Sequence, residues 1–124
     1  MPQNSFVRLN DLSNKIWHLL LNRPSYHNAF NTILAHQLID CCQQIRESKD
    51  IRSAVIISGQ GRSFCSGADL KERQSIKTLQ QWMEQHRIYE HMFDSLAKIK
   101  QPTIACVEGY ALGNQLCRIQ NYLQ

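Results

Sequence analysis

The chain has 124 residues, of which 43% are apolar and 19% charged, with a formal net charge of +4. Those values suit a single globular domain, or part of one, and exclude disorder throughout. No apolar run reaches the ~20 residues that span a bilayer, and scattered cations without a basic run argue against nucleic acid.

The N-terminal stretch MPQNSFVRLN has neither the basic-then-apolar plan of a secretory signal nor the Arg-rich plan of a transit peptide. Five cysteines (Cys41, Cys42, Cys65, Cys106, Cys117) make an odd count without CxxC spacing, so reduced thiols in a cytoplasmic protein are expected. Phe6 to Leu9 and Ile16 to Leu21, separated by DLSNK, predict a hairpin that Pro24 ends. From Thr32, Leu34, Leu38, Cys41/Cys42 and Ile45 form a helical stripe with Asn31 as N-cap. Cys41 and Cys42 are expected there as small apolar fillers. Ser53 to Ser58 is a β-branched run suited to a strand buried on both faces.

A loop then leads to RSFCSGADLKER, residues 62–73, in which Asp69 and Glu72 have capping-box spacing and start a helix. That helix is expected to run on to Pro102, with Leu79, Trp82, Met83, His86, Tyr89, Met92, Phe93, Leu96 and Ile99 on its buried face. Thr103 to Val107 predicts another buried strand, so the order of elements is α/β. Cys65 is expected in the core, and His86 and His91, five residues apart, lack the helical spacing of a zinc pair. His86 is expected half-buried.

Three stretches, LNRPSYHNAF, RSFCSGADLKER and IKQPTIACVEGYALG, stand in the order and spacing of the crotonase, or enoyl-CoA hydratase/isomerase, superfamily. The form FCxGADLKER is similar to the branch of enoyl-CoA and methylglutaconyl-CoA hydratases. The resemblance covers about Phe6 to Gly113 and implies a ββα spiral truncated after about the fourth strand, with residues 1–113 as the domain part and 114–124 as a divergent tail. It implies an acyl-CoA thioester partner, with coenzyme A entering as part of the substrate and no separate cofactor or metal. Ala68 would donate its backbone N–H to the thioester oxygen, Asn114 would supply the second donor, and Ala68, Asp69, Leu70 and Lys71 would line the substrate. Preorganised N–H donors favour the charge that an enolate places on that oxygen, and removing one costs about 3–4 kcal/mol of barrier. Lys71, with Arg23 and Arg62 on loops, is a candidate for the coenzyme's phosphates, surface solvation being the alternative for each; for Arg73 solvation is the expectation.

The resemblance also implies two catalytic glutamates. Cys117 stands at the first position, and the second would lie beyond Gln124. Hydration needs one carboxyl group to activate water and another to protonate carbon. The resemblance implies hydration or isomerisation of 2-enoyl-CoA thioesters, in fatty-acid or branched-chain amino-acid breakdown, but this chain is expected to be inactive. The competing, non-enzymatic reading is a truncated half that either folds only partially or binds acyl-CoA or a family partner. Glu47, Glu84 and Glu90 are expected in solvent, Glu72 as a cap, and Glu108 at no catalytic position. A frameshift, alternative splice or premature stop near Gly113 would produce the tail NQLCRIQNYLQ, which reading the coding DNA in all three frames would test. The family assembles as trimers or hexamers through a C-terminal region, without which TIACV would be an open strand edge. A lysine-rich first helix, used for RNA by some relatives, is not carried over: Thr32 to Ser48 holds Arg46 and no lysine.

Overall fold

A hairpin opens the fold in the computed structural model, which describes residues 5–13, 15–49 and 54–109. β1 (Val7–Ser13) and β2 (Ile16–Leu21) pair antiparallel, Val7 opposite Leu21 and Leu9 opposite Leu19. β1 runs past its apolar residues through Asn10 and Asp11, and its register shifts between Asp11 and Ser13. Side chains alternate across a strand, so Val7, Leu19 and Leu21 share one face, and all three are buried.

A 3-10 turn (Pro24–Tyr26) follows, and His27 and Asn28 then take left-handed backbone at φ 51 and 57. Asn28 tolerates that conformation and is fully buried. Its Oδ1 accepts from Arg23 N–H at 2.7 Å, and its Nδ2 donates to the carbonyls of Gln60 at 3.0 Å and Ser63 at 2.8 Å. One side chain thereby joins the loop after β2 to the loop after β3.

α1 (Thr32–Glu47) begins as expected: Asn31 Oδ1 accepts from Leu34 N–H at 2.9 Å. Its buried stripe holds Leu34, Leu38, Cys41, Cys42 and Ile45. β3 (Ala54–Gly59) then pairs parallel with β2, and β4 (Thr103–Ala105) pairs parallel with β3. The sheet order is β1-β2-β3-β4. Between β3 and β4 lie α2 (Leu70–Gln74) and α3 (Leu79–Ala97). The core forms between one face of the sheet (Val7, Leu19, Val55, Ile57) and the two longer helices, through Leu34, Ile45, Met92 and Phe93. At its centre the Phe30 ring meets Tyr89 edge-on at 5.1 Å and Phe93 at 6.0 Å.

Several expectations need correction. β3 is buried on one face only: Val55 and Ile57 are covered while Ala54, Ile56 and Ser58 are half-exposed. β4 is not a buried strand either. It ends the sheet among the described residues, with Ile104 58% exposed, which leaves the open apolar edge anticipated from its sequence. The single long helix is two helices, because Thr78 and Gln81 form a complete capping box that starts a new one. The chain leaves helical geometry between Gln74 and Leu79, and the buried stripe of α3 is Gln85, Tyr89, Met92, Phe93, Ser95 and Leu96. Leu79, Trp82 and Met83 stay exposed; His86 is exposed too, stacked on Trp82 at 5.1 Å, rather than half-buried.

The cysteines in α1 are packing residues, as expected. Burial, reinforced by the Asp40 charge, pushes the Cys41 thiol up to about 12, and burial, then the neighbouring Cys41, pushes Cys42 up to about 12. Cys106 is exposed. Alkylation of the native chain at mildly alkaline pH, mapped by peptide mass spectrometry, should modify Cys106 and spare Cys41 and Cys42 until denaturant is added. Labelling of either in the native protein would mean that α1 is not docked on the sheet. Gly59 offers a second check, since a Cβ there would strike the Ser63 carbonyl and lie 2.6 Å from the Phe64 carbonyl and 2.7 Å from Asn28 Nδ2. Overpacking costs about 1–3 kcal/mol, so Gly59→Ala should lower the melting temperature by several degrees, while Leu79→Gln on the exposed face should leave it nearly unchanged.

Candidate functional site

The turn Ser66-Gly67-Ala68 is bare because the backbone itself is put to use. Gly67 adopts φ 99, a region L side chains avoid, and this reverses the chain just before Ala68. Phe30 then pairs with this segment as a parallel bridge. Its N–H donates to the Gly67 carbonyl at 2.9 Å, and its carbonyl accepts from Asp69 N–H at 2.9 Å. In a parallel bridge the peptide groups flanking the paired residue make the bonds, and that residue's own N–H faces the other way. Ala68 N–H accordingly has no hydrogen-bond partner among the described residues.

Beside it lies an open cleft of about 260 Å³. Ala68, Asp69, Leu70 and Lys71 line it together with Tyr26, Ala29 and Ser66, so four residues singled out in the sequence share one surface. Leu70 is 72% exposed and Lys71 is also exposed. Asn114 and Cys117 lie outside the described residues.

Asp69 caps α2, its Oδ1 accepting from the N–H groups of Lys71 at 2.9 Å and Glu72 at 3.3 Å. Its other oxygen meets Arg23 Nη1 at 2.8 Å. Partial burial pushes the Asp69 carboxyl up, but the Arg23 hydrogen bond and charge, with the two capping N–H groups, outweigh it and hold the group below the usual carboxylate range. Arg23 is thus engaged within the chain. Its Nη1 also donates to the Ala29 carbonyl at 3.0 Å, and its guanidinium lies over the Tyr26 ring at 4.2 Å and the Phe6 ring at 5.4 Å. Sequence spacing gave no sign of this, since Arg23 and Asp69 are 46 positions apart and their pairing depends on the Phe30 bridge.

Glu72 is the larger correction. It does not close the capping box, because the Asp69 N–H it would accept from is already bonded to the Phe30 carbonyl. Its carboxylate accepts instead from Thr32 N–H at 3.0 and 3.2 Å and from Thr32 Oγ1 at 3.2 Å. It also accepts from Gln85 Nε2 at 3.0 Å and from the Tyr89 hydroxyl at 2.9 Å. That hydroxyl is also 3.3 Å from the Phe30 carbonyl. Burial, then the hydrogen bond to Glu72 and its charge, raises the Tyr89 hydroxyl well above its ordinary value, so it stays a donor. A polar Gln85 four residues before Tyr89 on a buried stripe was the available signal.

Cys65 is buried in the core as expected, and burial pushes its thiol up to about 11 despite Gly67 N–H at 3.4 Å from Sγ. Among the described residues no group of three or more His, Cys, Asp or Glu side chains is arranged to hold a metal ion, and no helix is long and apolar enough to cross a membrane.

Comparison with known proteins gives the family. The sequence profile of the enoyl-CoA hydratase/isomerase family matches residues 11–116. Human mitochondrial enoyl-CoA hydratase domain-containing protein 2 is 37% identical over 101 residues, 82% of this chain and 34% of that protein. The 1,2-epoxyphenylacetyl-CoA isomerase of Escherichia coli (strain K12) is 37% identical over 98 residues, 77% of this chain and 37% of that protein. The crystal structure of enoyl-CoA hydratase from Bacillus anthracis superimposes with a TM-score of 0.84 at 26% identity, covering 94% of this chain and 45% of that one. The chain therefore spans about a third of the length of the curated relatives it matches. It belongs to the enoyl-CoA hydratase/isomerase, or crotonase, family.

Proposed function

We propose that this chain binds acyl-CoA thioesters in the cleft over Ala68, with the Ala68 N–H donating to the thioester carbonyl and Lys71 near the coenzyme's phosphates, and that the chain does not itself turn them over. The observation that carries the reading is an outward N–H, without a partner among the described residues, in a cleft walled by Ala68, Asp69, Leu70 and Lys71. The names of the relatives, a 1,2-epoxyphenylacetyl-CoA isomerase and a dienoyl-CoA isomerase among them, favour an acyl-CoA as the bound molecule. Coenzyme A would enter with the acyl group, and the proposed role calls for no further cofactor. The donor would act from the pinned turn and not from a helix dipole, because α2 has only five residues.

The absence of turnover follows from where the carboxylates are. Asp69, the carboxylate lining this cleft among the described residues, is engaged by Arg23 and by two capping N–H groups. Held as an anion below its usual range, it is a poor proton donor at neutral pH. Glu72 faces a different cleft, of about 250 Å³, lined also by Thr32, Glu84 and Gln85. Cys117 occupies the position at which the family resemblance would put a glutamate.

Titration with a push–pull enoyl thioester, 4-(dimethylamino)cinnamoyl-CoA, tests binding, because a hydrogen bond to its carbonyl moves its absorption band to longer wavelength. The band should shift on binding, and the enone absorbance of crotonyl-CoA should persist. Ala68→Pro, which removes the N–H, should abolish the shift and weaken binding by about 1 kcal/mol, roughly fivefold. Ala68→Gly should keep the shift. Turnover of crotonyl-CoA that Ala68→Pro abolishes would make the chain an enzyme.

Asp69 sets an acid limit on the site. A carboxyl with a depressed folded-state value contributes stability that is complete above its unfolded value of about 4 and is lost as pH falls through the lower one. Melting curves from neutral to about pH 2 should show Asp69→Asn less stable than the parent at neutral pH, with the difference closing in that acid window. A difference independent of pH would mean that the ion pair with Arg23 contributes nothing.

A further inference from the structure

We infer that Glu72 is a positioning residue for the Ala68 amide, its carboxylate tying the turn that carries that amide to the first residue of α1 and to Gln85 and Tyr89 of α3. The inference rests on the reading of Ala68 as the thioester donor.

Among the bridges that link this pair of segments, two bear on Ala68 and Glu72. The first is the backbone pairing of Phe30 with Gly67 and Asp69, which flanks Ala68. The second joins Thr32, two residues after Phe30, to Glu72, four residues after Ala68, through the Thr32 N–H at 3.0 Å and its hydroxyl at 3.2 Å. Ser66 N–H, donating to the His27 carbonyl at 3.0 Å, holds the turn on its N-terminal side, and the Thr32 bridge holds it on the C-terminal side, so contacts on both sides of Phe30 fix its twist. α2 cannot supply that rigidity, since a helix of five residues is far below the length that holds itself together.

Everything hydrogen-bonded to the carboxylate is a donor: the Thr32 N–H and hydroxyl, the Gln85 amide and the Tyr89 hydroxyl. Bonds to an ionised acceptor are about twice as strong as neutral ones, so this set suits an anion at position 72. A glutamine there would turn an NH₂ group toward donors. Tyr89 closes the loop, because its hydroxyl lies within reach of both the Glu72 carboxylate and the Phe30 carbonyl. Phe30, Glu72 and Tyr89 thus enclose the turn, and Ala68 N–H is left as its outward-facing group.

The push–pull thioester separates positioning from simple stabilisation. Its band position at saturation reports the alignment of the donor in each bound complex, whatever fraction of the chain is folded. Glu72→Gln should bind the probe and lose most of the parent's red shift. Tyr89→Phe, which keeps the ring packed on Phe30 and removes only the hydroxyl, should lose a smaller part, and it decides the matter if Glu72→Gln does not fold. A full red shift at saturation in Tyr89→Phe, and in Glu72→Gln where that variant folds, would overturn the inference and leave the donor reading intact, even if melting temperatures fall. A parent chain that binds without any red shift would overturn the donor reading and the inference with it.

Discussion

The pairing of Phe30 with the two residues that flank Ala68 is the constraint on which the site depends. Phe30 works at both ends. Its ring is held in the core by Tyr89 and Phe93, and its backbone uses up the Gly67 carbonyl and the Asp69 N–H. What remains at Ala68 points outward because its neighbours are already bonded. A buried aromatic thereby determines the direction of a polar group at the surface, and core packing becomes part of the site's chemistry. The same pairing brings Asp69 to Arg23 and Glu72 to Thr32, contacts that link segments 46 and 40 positions apart.

What could be read from the sequence was mostly local. The Asn31 cap, the apolar stripe of α1, the hairpin and the chain order of strands each depend on residues a few positions apart, and all appear in the fold. Burial was read less well. β3 looked covered on both faces because Val-Ile-Ile is uniformly apolar, yet Ile56 is half-exposed beside the His18–Ser58 contact of 2.6 Å. The break before α3 was present in the sequence as Thr78 and Gln81, but the apolar residues on either side continued a helical rhythm that concealed it. Glu72 looked like a cap because capping is a local pattern. Its real partners depend on which N–H groups Phe30 leaves available, and no spacing rule contains that.

Half-exposure of the second sheet face has a physical consequence. Parallel strands are ordinarily covered on both sides. Here α1, with α3 packed against it, covers one, while Leu20, Ile56 and Ile104 lie on the other at partial to substantial exposure. The helices are placed so that the face they cover also anchors Phe30, so the covered side of the sheet is the side that organises the turn. Geometry at Ala68 therefore draws on packing within the described residues and not on the open face.

A donor and an acid–base pair make different demands on a fold. A backbone N–H can be aimed by pairing its neighbours, which needs two segments and a packed core. A general acid or base needs a carboxyl group that reaches the ligand and is free to exchange a proton. Around this turn the carboxylates do the opposite: Asp69 is fixed by Arg23 and its capping bonds, and Glu72 by Thr32, Gln85 and Tyr89. Their charges hold the backbone in place, and their oxygens are occupied by those bonds. Around Ala68 a backbone N–H is thus aimed with the help of two carboxylates whose oxygens are taken up by structural hydrogen bonds.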